Sequence, residues 1–218
     1  MDGAFAQLAM LGSSLVLIAS FLLLWRRGIP AYVDAFAMQS LALGATTGLV
    51  GYFAGKRELY LVAVLLIAIK GVGIPVLLRR MARRFGPGRH VPPYVNTATS
   101  LLIGGLLVLL AHVVMRPVIE SSPLPTRAGV PLAMGLVFVS LFVIVSRRHA
   151  LAQVIGFLMM ENGIALLAVL GTYGIPLIVE IGVFLDVMMG FLVMQIVVYQ
   201  IHETFQSLDV ERLNRLRR

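Results

Sequence analysis

The chain has no cysteine, so it can form no disulfide, no thiolate-ligated iron–sulfur cluster and no zinc thiolate site of its own. Charge is scarce as well. Only 13% of the 218 residues are Asp, Glu, Lys or Arg, about half the share of an ordinary soluble domain, which excludes a chain bathed mainly in water. Instead, 59% are hydrophobic and the mean hydropathy is +0.94, so lipid is the main solvent. A hydrocarbon core about 30 Å thick takes roughly 20 apolar residues per helix. The length therefore suffices for about seven or eight spans and leaves no room for a separate soluble domain. The sequence pI of 10.6 does not point to nucleic acid, because the 18 Lys and Arg fall in short clusters between apolar runs. Asp2 is the only charge before the first run and Arg26-Arg27 follow it, an order that argues against a cleaved signal peptide.

Apolar runs at about 3–25, 31–53, 58–78, 97–115, 129–146, 150–171 and 174–200 predict an all-α, polytopic bundle of about seven transmembrane helices. Alternating sides place Arg26, Arg27, Arg79, Arg80, Arg83, Arg84, Arg89, Arg147, Arg148, Arg212, Arg215, Arg217 and Arg218 together, against Lys56, Arg57, Arg116 and Arg127 opposite. The positive-inside rule puts the richer side in the cytoplasm, hence the N-terminus outside and the C-terminus inside. Residues 79–93, with Gly86-Pro87-Gly88 and Pro92-Pro93, are expected to leave the helix and form the longest cytoplasmic loop; 115–127, with Pro117, Pro123 and Pro125, is the second break. The resulting organisation is three helices and a loop (1–96), a fourth helix with an outer loop (97–128), a three-helix module (129–201) and a basic tail (202–218). In that tail Phe205, Leu208, Leu213 and Leu216 recur at roughly helical spacing and suit a helix lying on lipid or on a partner.

Ionisable groups inside such spans carry the chemistry. Lys70 stands about midway along the third span, too deep to reach either surface easily. Beside it, Gly71 and Gly73 permit close helix approach, and Pro75 removes a backbone bond to the carbonyl of Gly71. Glu161 and Asp186 fall near mid-membrane in the sixth and seventh spans. Each such charge costs roughly 2.5 to 3.5 kcal/mol on insertion scales and normally faces a partner or a water-filled path. With Glu180 and Asp34 in the outer and inner thirds, these residues suit a proton relay, although pairing of one carboxylate with Lys70 as a purely structural contact is the plain alternative. Gln39, Gln153, Asn162 and Gln195 extend a polar path or serve as interhelical hydrogen bonds. His112, near the outer end of the fourth span, is a candidate proton carrier; a metal or haem site wants a second ligand, and none is evident. His149 and His202 belong to the solvated cytoplasmic edge, and the eleven methionines suit packing better than copper.

The stretch Arg147-Arg148-His149-Ala150-Leu151 through Gly156-Phe157-Leu158-Met159-Met160-Glu161-Asn162, with Leu185-Asp186-Val187-Met188-Met189-Gly190, resembles the second and third helices of subunit K of NADH-quinone oxidoreductase and of the C component of Mrp-type antiporters. With four further spans in front, the whole chain resembles the component E family of hydrogenase-4, membrane subunits of formate hydrogenlyase-type complexes. The resemblance to subunit K implies two membrane glutamates used in proton translocation, one falling on Asp186. The other falls on Leu158, one helical turn before Glu161, so the role passes to Glu161 by position on the helix face. The whole-chain resemblance also implies a non-catalytic membrane-arm subunit coupling electron transfer to proton or sodium movement in the cytoplasmic membrane of a bacterium or archaeon. Its partners would be antiporter-like membrane subunits and hydrogenase subunits carrying the [NiFe] centre and iron–sulfur clusters, with no cofactor in this chain. A stand-alone Mrp-type cation/proton antiporter subunit, or a purely structural membrane subunit, is the alternative.

Overall fold

The computed structural model describes residues 2–26, 28–84, 95–174 and 188, and all the described elements are helical. The first of two compact units is Met1–Val183; of the second, Phe184–Arg218, only Met188 is described. Helix α1 covers Asp2–Trp25, α2 Ile29–Ala54, α3 Glu58–Leu65, α4 Ile74–Arg84, α5 Thr97–Ser121, α6 Val130–Ser146 and α7 Ala150–Gly171. A π-helical segment, Leu66–Gly73, joins α3 to α4 in one continuous rod, and a 3₁₀ turn, Arg127–Gly129, leads into α6. Six helices are long and apolar enough to cross a membrane, and the chain is a multi-pass membrane protein. The expected seventh span lies outside the described residues apart from Gly174 and Met188, as do Glu180, Asp186, Gln195, His202 and the tail.

The helix ends are set by local chemistry. Gly28 precedes α2 in an extended conformation, and Pro30 sits in the first turn, where no N–H is needed. Gly55 ends α2 at φ +66°, a left-handed cap available to glycine without strain, after which Lys56 N–H bonds back to Gly51 O at 3.0 Å. Asn96 caps α5 by accepting from Thr99 N at 2.8 Å. His149 does the same for α7, its Nδ1 accepting from Leu151 N at 3.2 Å; it is a helix cap and not the freely solvated residue expected. Two predicted loops also begin later than expected. Helix α4 continues through Arg84, and α5 continues through Pro117 to Ser121. Neither change violates the backbone rules: the Gly-Pro-Gly breaker comes only after Arg84, and Pro117 forfeits a single bond near the polar end of its helix.

Two sets of contacts fix the bundle's ends. At one, buried Arg147 donates from its Nη2 to Leu24 O (3.2 Å) and lies over the Tyr32 ring, 5.7 Å from its centroid. A cation thereby caps the last turn of α1, where carbonyls lack helical partners. At the opposite end Lys56 Nζ donates to Tyr173 O and Gly174 O (2.9 and 3.0 Å), and Thr126 Oγ1 donates to Leu170 O (2.6 Å), so both cap the end of α7. Arg26, Arg79, Arg80, Arg147 and Arg148 consequently share one end, called here the basic end, while Lys56, Arg57, Arg116 and Arg127 share the other. Between them α2 is central, packed against α1, the α3–α4 rod and α7, with α6 closing the ring and α5 outside it. The core joins Val16, Leu43, Leu66, Leu136 and Leu166, one from each of five packed elements.

Candidate functional site

Glu161 lies eleven residues into α7 and ten from its end, so at 1.5 Å per residue it is about 15 Å from either surface. Lys70 reaches the same depth from the neighbouring rod. Its Nζ stands 3.2 Å from Glu161 Oε2, with the lysine side chain 1% exposed and that of the glutamate 11%. The pair is therefore an ion pair in the membrane interior, formed between α7 and the π segment.

The backbone explains how the lysine arrives there. Ile74 N–H donates to Ile69 O, five residues back instead of four, and Pro75, next in line, has no N–H to give. The helix consequently widens around Lys70, which is the form taken by the break expected from Pro75. Glycines bring the neighbours close: a Cβ on Gly71 would stand 2.9 Å from Leu41 Cδ2 of α2, and one on Gly44 would stand 3.2 Å from Ala63 O. Gly73, expected to allow the same approach, faces outward instead. On α7, a Cβ on Gly163 would be 3.1 Å from Val137 N of α6.

One residue beyond Glu161, the side chain of Asn162 turns to α2. Its Nδ2 donates to Gln39 Oε1 (3.1 Å) and Ser40 Oγ (2.9 Å), while Gln39 Nε2 donates to Val16 O of α1 at 3.4 Å. All three side chains are fully buried. A polar layer thus crosses the bundle at mid-membrane, from Lys70 through Glu161 and Asn162 to Gln39 and Ser40. One end of this layer holds the ionisable pair Lys70 and Glu161; the other is a neutral hydrogen-bonded clasp.

The remaining predicted residues fall elsewhere. Asp34 is 63% exposed at the basic end, its Oδ1 accepting from Arg79 Nη2 at 2.6 Å, so the structure brings it to Arg79 and not to Glu161. His112 is exposed on α5. That helix is the least enclosed span, with 17% of its most apolar stretch buried against 44 to 56% for the other five. Gln153 donates from its Nε2 to Arg147 O at 2.9 Å and braces the α6–α7 turn. Leu158, the position at which the resemblance to subunit K implies a glutamate, is buried. Among the described residues no group of three or more histidines and carboxylates stands together as a metal site.

Sequence reasoning missed Ser40, Lys56 and Arg147. Ser40 had a signal, since it adjoins Gln39 inside an apolar run. The two cations had none, because a buried arginine and an exposed one, Arg147 and Arg148, are neighbours in the same basic pair.

No family model matches the chain, and no solved structure matches it. The chain is similar to hydrogenase-4 component E of Escherichia coli strain K12 and of Shigella flexneri, at 28% identity over 84% of this chain and 84% of each relative. That likeness bears out the family resemblance seen in the sequence. The uncharacterized protein Rv0085 of Mycobacterium tuberculosis is 38% identical over 203 residues, 93% of this chain and 92% of that protein. The chain, distantly similar to hydrogenase-4 component E, therefore belongs to the family of Rv0085.

Proposed function

We propose that this chain is a non-catalytic membrane-arm subunit of a hydrogenase-like complex, in which the Lys70–Glu161 pair forms part of a path for proton or sodium movement driven by electron transfer in partner subunits. The observation that carries the reading is the ion pair itself, held at 3.2 Å in the membrane interior, where charge is expensive and normally marks a relay or a partner. The likeness to hydrogenase-4 component E supports the hydrogenase-like setting. Asp186 enters by family resemblance as a second relay carboxylate, while Glu180, Asp34 and His112 enter as peripheral members of the path only through the cost of placing ionisable groups in a membrane span. The basic end faces the cytoplasm in this reading, with the N-terminus outside. Redox centres reside on the partner subunits, and the antiporter-like subunits adjoin this chain in the membrane.

Within the path, Lys70 sets the charge state of Glu161. A proton arriving at the carboxylate releases the ammonium from its ion pair, and departure of the proton restores it. The test is Glu161→Gln and Asp186→Asn in the assembled complex, with ion pumping and electron transfer measured together. Electron transfer that continues while pumping falls severalfold is expected; undiminished coupling in both variants removes the relay. A structural reading is favoured by one observation, the Asn162 clasp, which ties α7 to α2 without any charge. It predicts loss of assembly with Lys70→Met and normal pumping in whatever carboxylate variants assemble. Co-purification with antiporter subunits alone, without nickel or iron–sulfur proteins, would place the chain in an Mrp-type antiporter.

A further inference from the structure

The outward face of the α3–α4 rod bears an unbroken row, Leu61, Val64, Ala68, Val72, Val76 and Arg80, all exposed and almost all four residues apart. Four-residue steps on a regular α-helix drift steadily around the axis. The π segment between Leu66 and Gly73 has a wider turn that offsets this drift and keeps the row on one side. From Lys70 at mid-membrane to Arg80 is ten residues, about 15 Å, the thickness of one leaflet's hydrocarbon. The row is therefore apolar through that leaflet and ends in a guanidinium at headgroup level.

Arg80 is exposed and makes no ion pair among the described residues. Its neighbour Arg79 is engaged by Asp34 at 2.6 Å. Because α4 continues as a helix to Arg84, Arg84 stands one turn beyond Arg80, and Arg83 one turn beyond Arg79. Four arginines in six residues thus follow a strip of methyl groups whose length suits an acyl chain.

We infer that this face is a binding site for an anionic phospholipid, with an acyl chain along Val72 and Val76 and the phosphate on Arg80. Guanidinium groups suit phosphate because they bind it through paired N–H donors, and a zwitterionic headgroup offers no net charge for the cluster to neutralise. Asp34 restrains the site by holding Arg79. The same chemistry in a soluble phosphate ion would lack the apolar strip, so lipid is the occupant.

Lipid adducts on the purified full-length chain, read by native mass spectrometry during titration with phosphatidylglycerol or phosphatidylcholine, test this. Arg80→Gln should weaken phosphatidylglycerol binding about fivefold, the worth of one basic residue near a charged membrane surface, and weaken phosphatidylcholine, whose phosphate is offset by its choline, by less. Arg80→Lys, which keeps the charge but not the paired donors, should fall between the parent and Arg80→Gln. Asp34→Asn should strengthen phosphatidylglycerol binding by a similar factor, because it frees Arg79. Equal losses for both lipids in Arg80→Gln, or competition by inorganic phosphate at the same concentration as lipid, would overturn the assignment. An unchanged or weaker affinity in Asp34→Asn would overturn the role given to Asp34.

Discussion

Removing one member of the Lys70–Glu161 pair should cost far more than removing both. At 3.2 Å and an effective dielectric of about 20, the Coulomb attraction is about 5 kcal/mol. Glu161→Gln keeps the shape of the side chain and discards that attraction, leaving an ammonium in the membrane interior. Lys70→Met does the converse. Each single variant should lose up to about 3 to 5 kcal/mol of folding stability, the usual penalty for breaking a buried ion pair by removing one member. The double variant, Lys70→Met with Glu161→Gln, removes both charges of the pair and should recover about 3 kcal/mol or more of the summed loss. Reversible unfolding in mixed micelles of the parent, both singles and the double supplies the four numbers of a thermodynamic cycle. Additivity within about 0.5 kcal/mol would mean the groups do not sense each other, and the charged half of the polar layer would then lose its physical basis.

Asn162→Leu removes the donor shared by Gln39 and Ser40 and should destabilise the fold by about 1 to 3 kcal/mol; the same unfolding assay checks it, and wild-type stability would refute the clasp. Lys56→Met strips two hydrogen bonds from the carbonyls at the end of α7 and should cost about 1 to 3 kcal/mol, as charge-assisted bonds do. A neutral result there would assign the capping to Thr126 alone. Gly163→Val drives side-chain carbon into the α6 backbone and should lower the unfolding midpoint by an amount corresponding to about 1 to 3 kcal/mol, whereas Gly105→Ala, with open space at its Cβ, should leave it unchanged.

The spans were legible because lipid imposes a rule that can be counted. Backbone groups must be satisfied within each helix, so each crossing needs an apolar run of set length. Expected runs such as 150–171 and 97–115 accordingly match α7 and the apolar part of α5 closely. What the hydropathy pattern did not carry was the behaviour of chain beyond the hydrocarbon. Arg79 through Arg84 and Pro117 through Ser121 are polar or contain proline, yet remain helical, since helices do not stop where lipid stops. The site was legible in kind but not in pairing. The cost of charge singled out Lys70 and Glu161 at equal depth, and a structural ion pair was among the readings. Which carboxylate meets the lysine depends on helix rotation, and that is set by small residues such as Gly71 and Gly44 acting against partners far away in the sequence. Asp34 shows the same limit: a charge five residues into α2 lies within an arginine's reach of the surface, and only packing against α4 reveals that Arg79 takes it.

The ion pairs that join Asp34 to Arg79 and Lys70 to Glu161 differ in solvent far more than in chemistry. Asp34 and Arg79 meet where both remain about half exposed or more, so their contact is worth little to stability. Lys70 and Glu161 meet where water does not screen them, and apolar side chains of similar volume would hold the same helices at least as well. The helices are in any case already joined, by the Asn162 clasp and by close glycine contacts on α2 and α7. Cohesion alone therefore gives no reason for a charged pair at that depth, whereas proton exchange requires ionisable groups there. The two explanations separate in a variant that replaces both charges by apolar residues, Lys70→Met with Glu161→Leu. If the pair serves the relay, this chain should fold and assemble with its partners yet support electron transfer without ion pumping. Pumping at the parental rate in that variant would reduce the pair to a packing contact, and the polar layer would then end at Asn162.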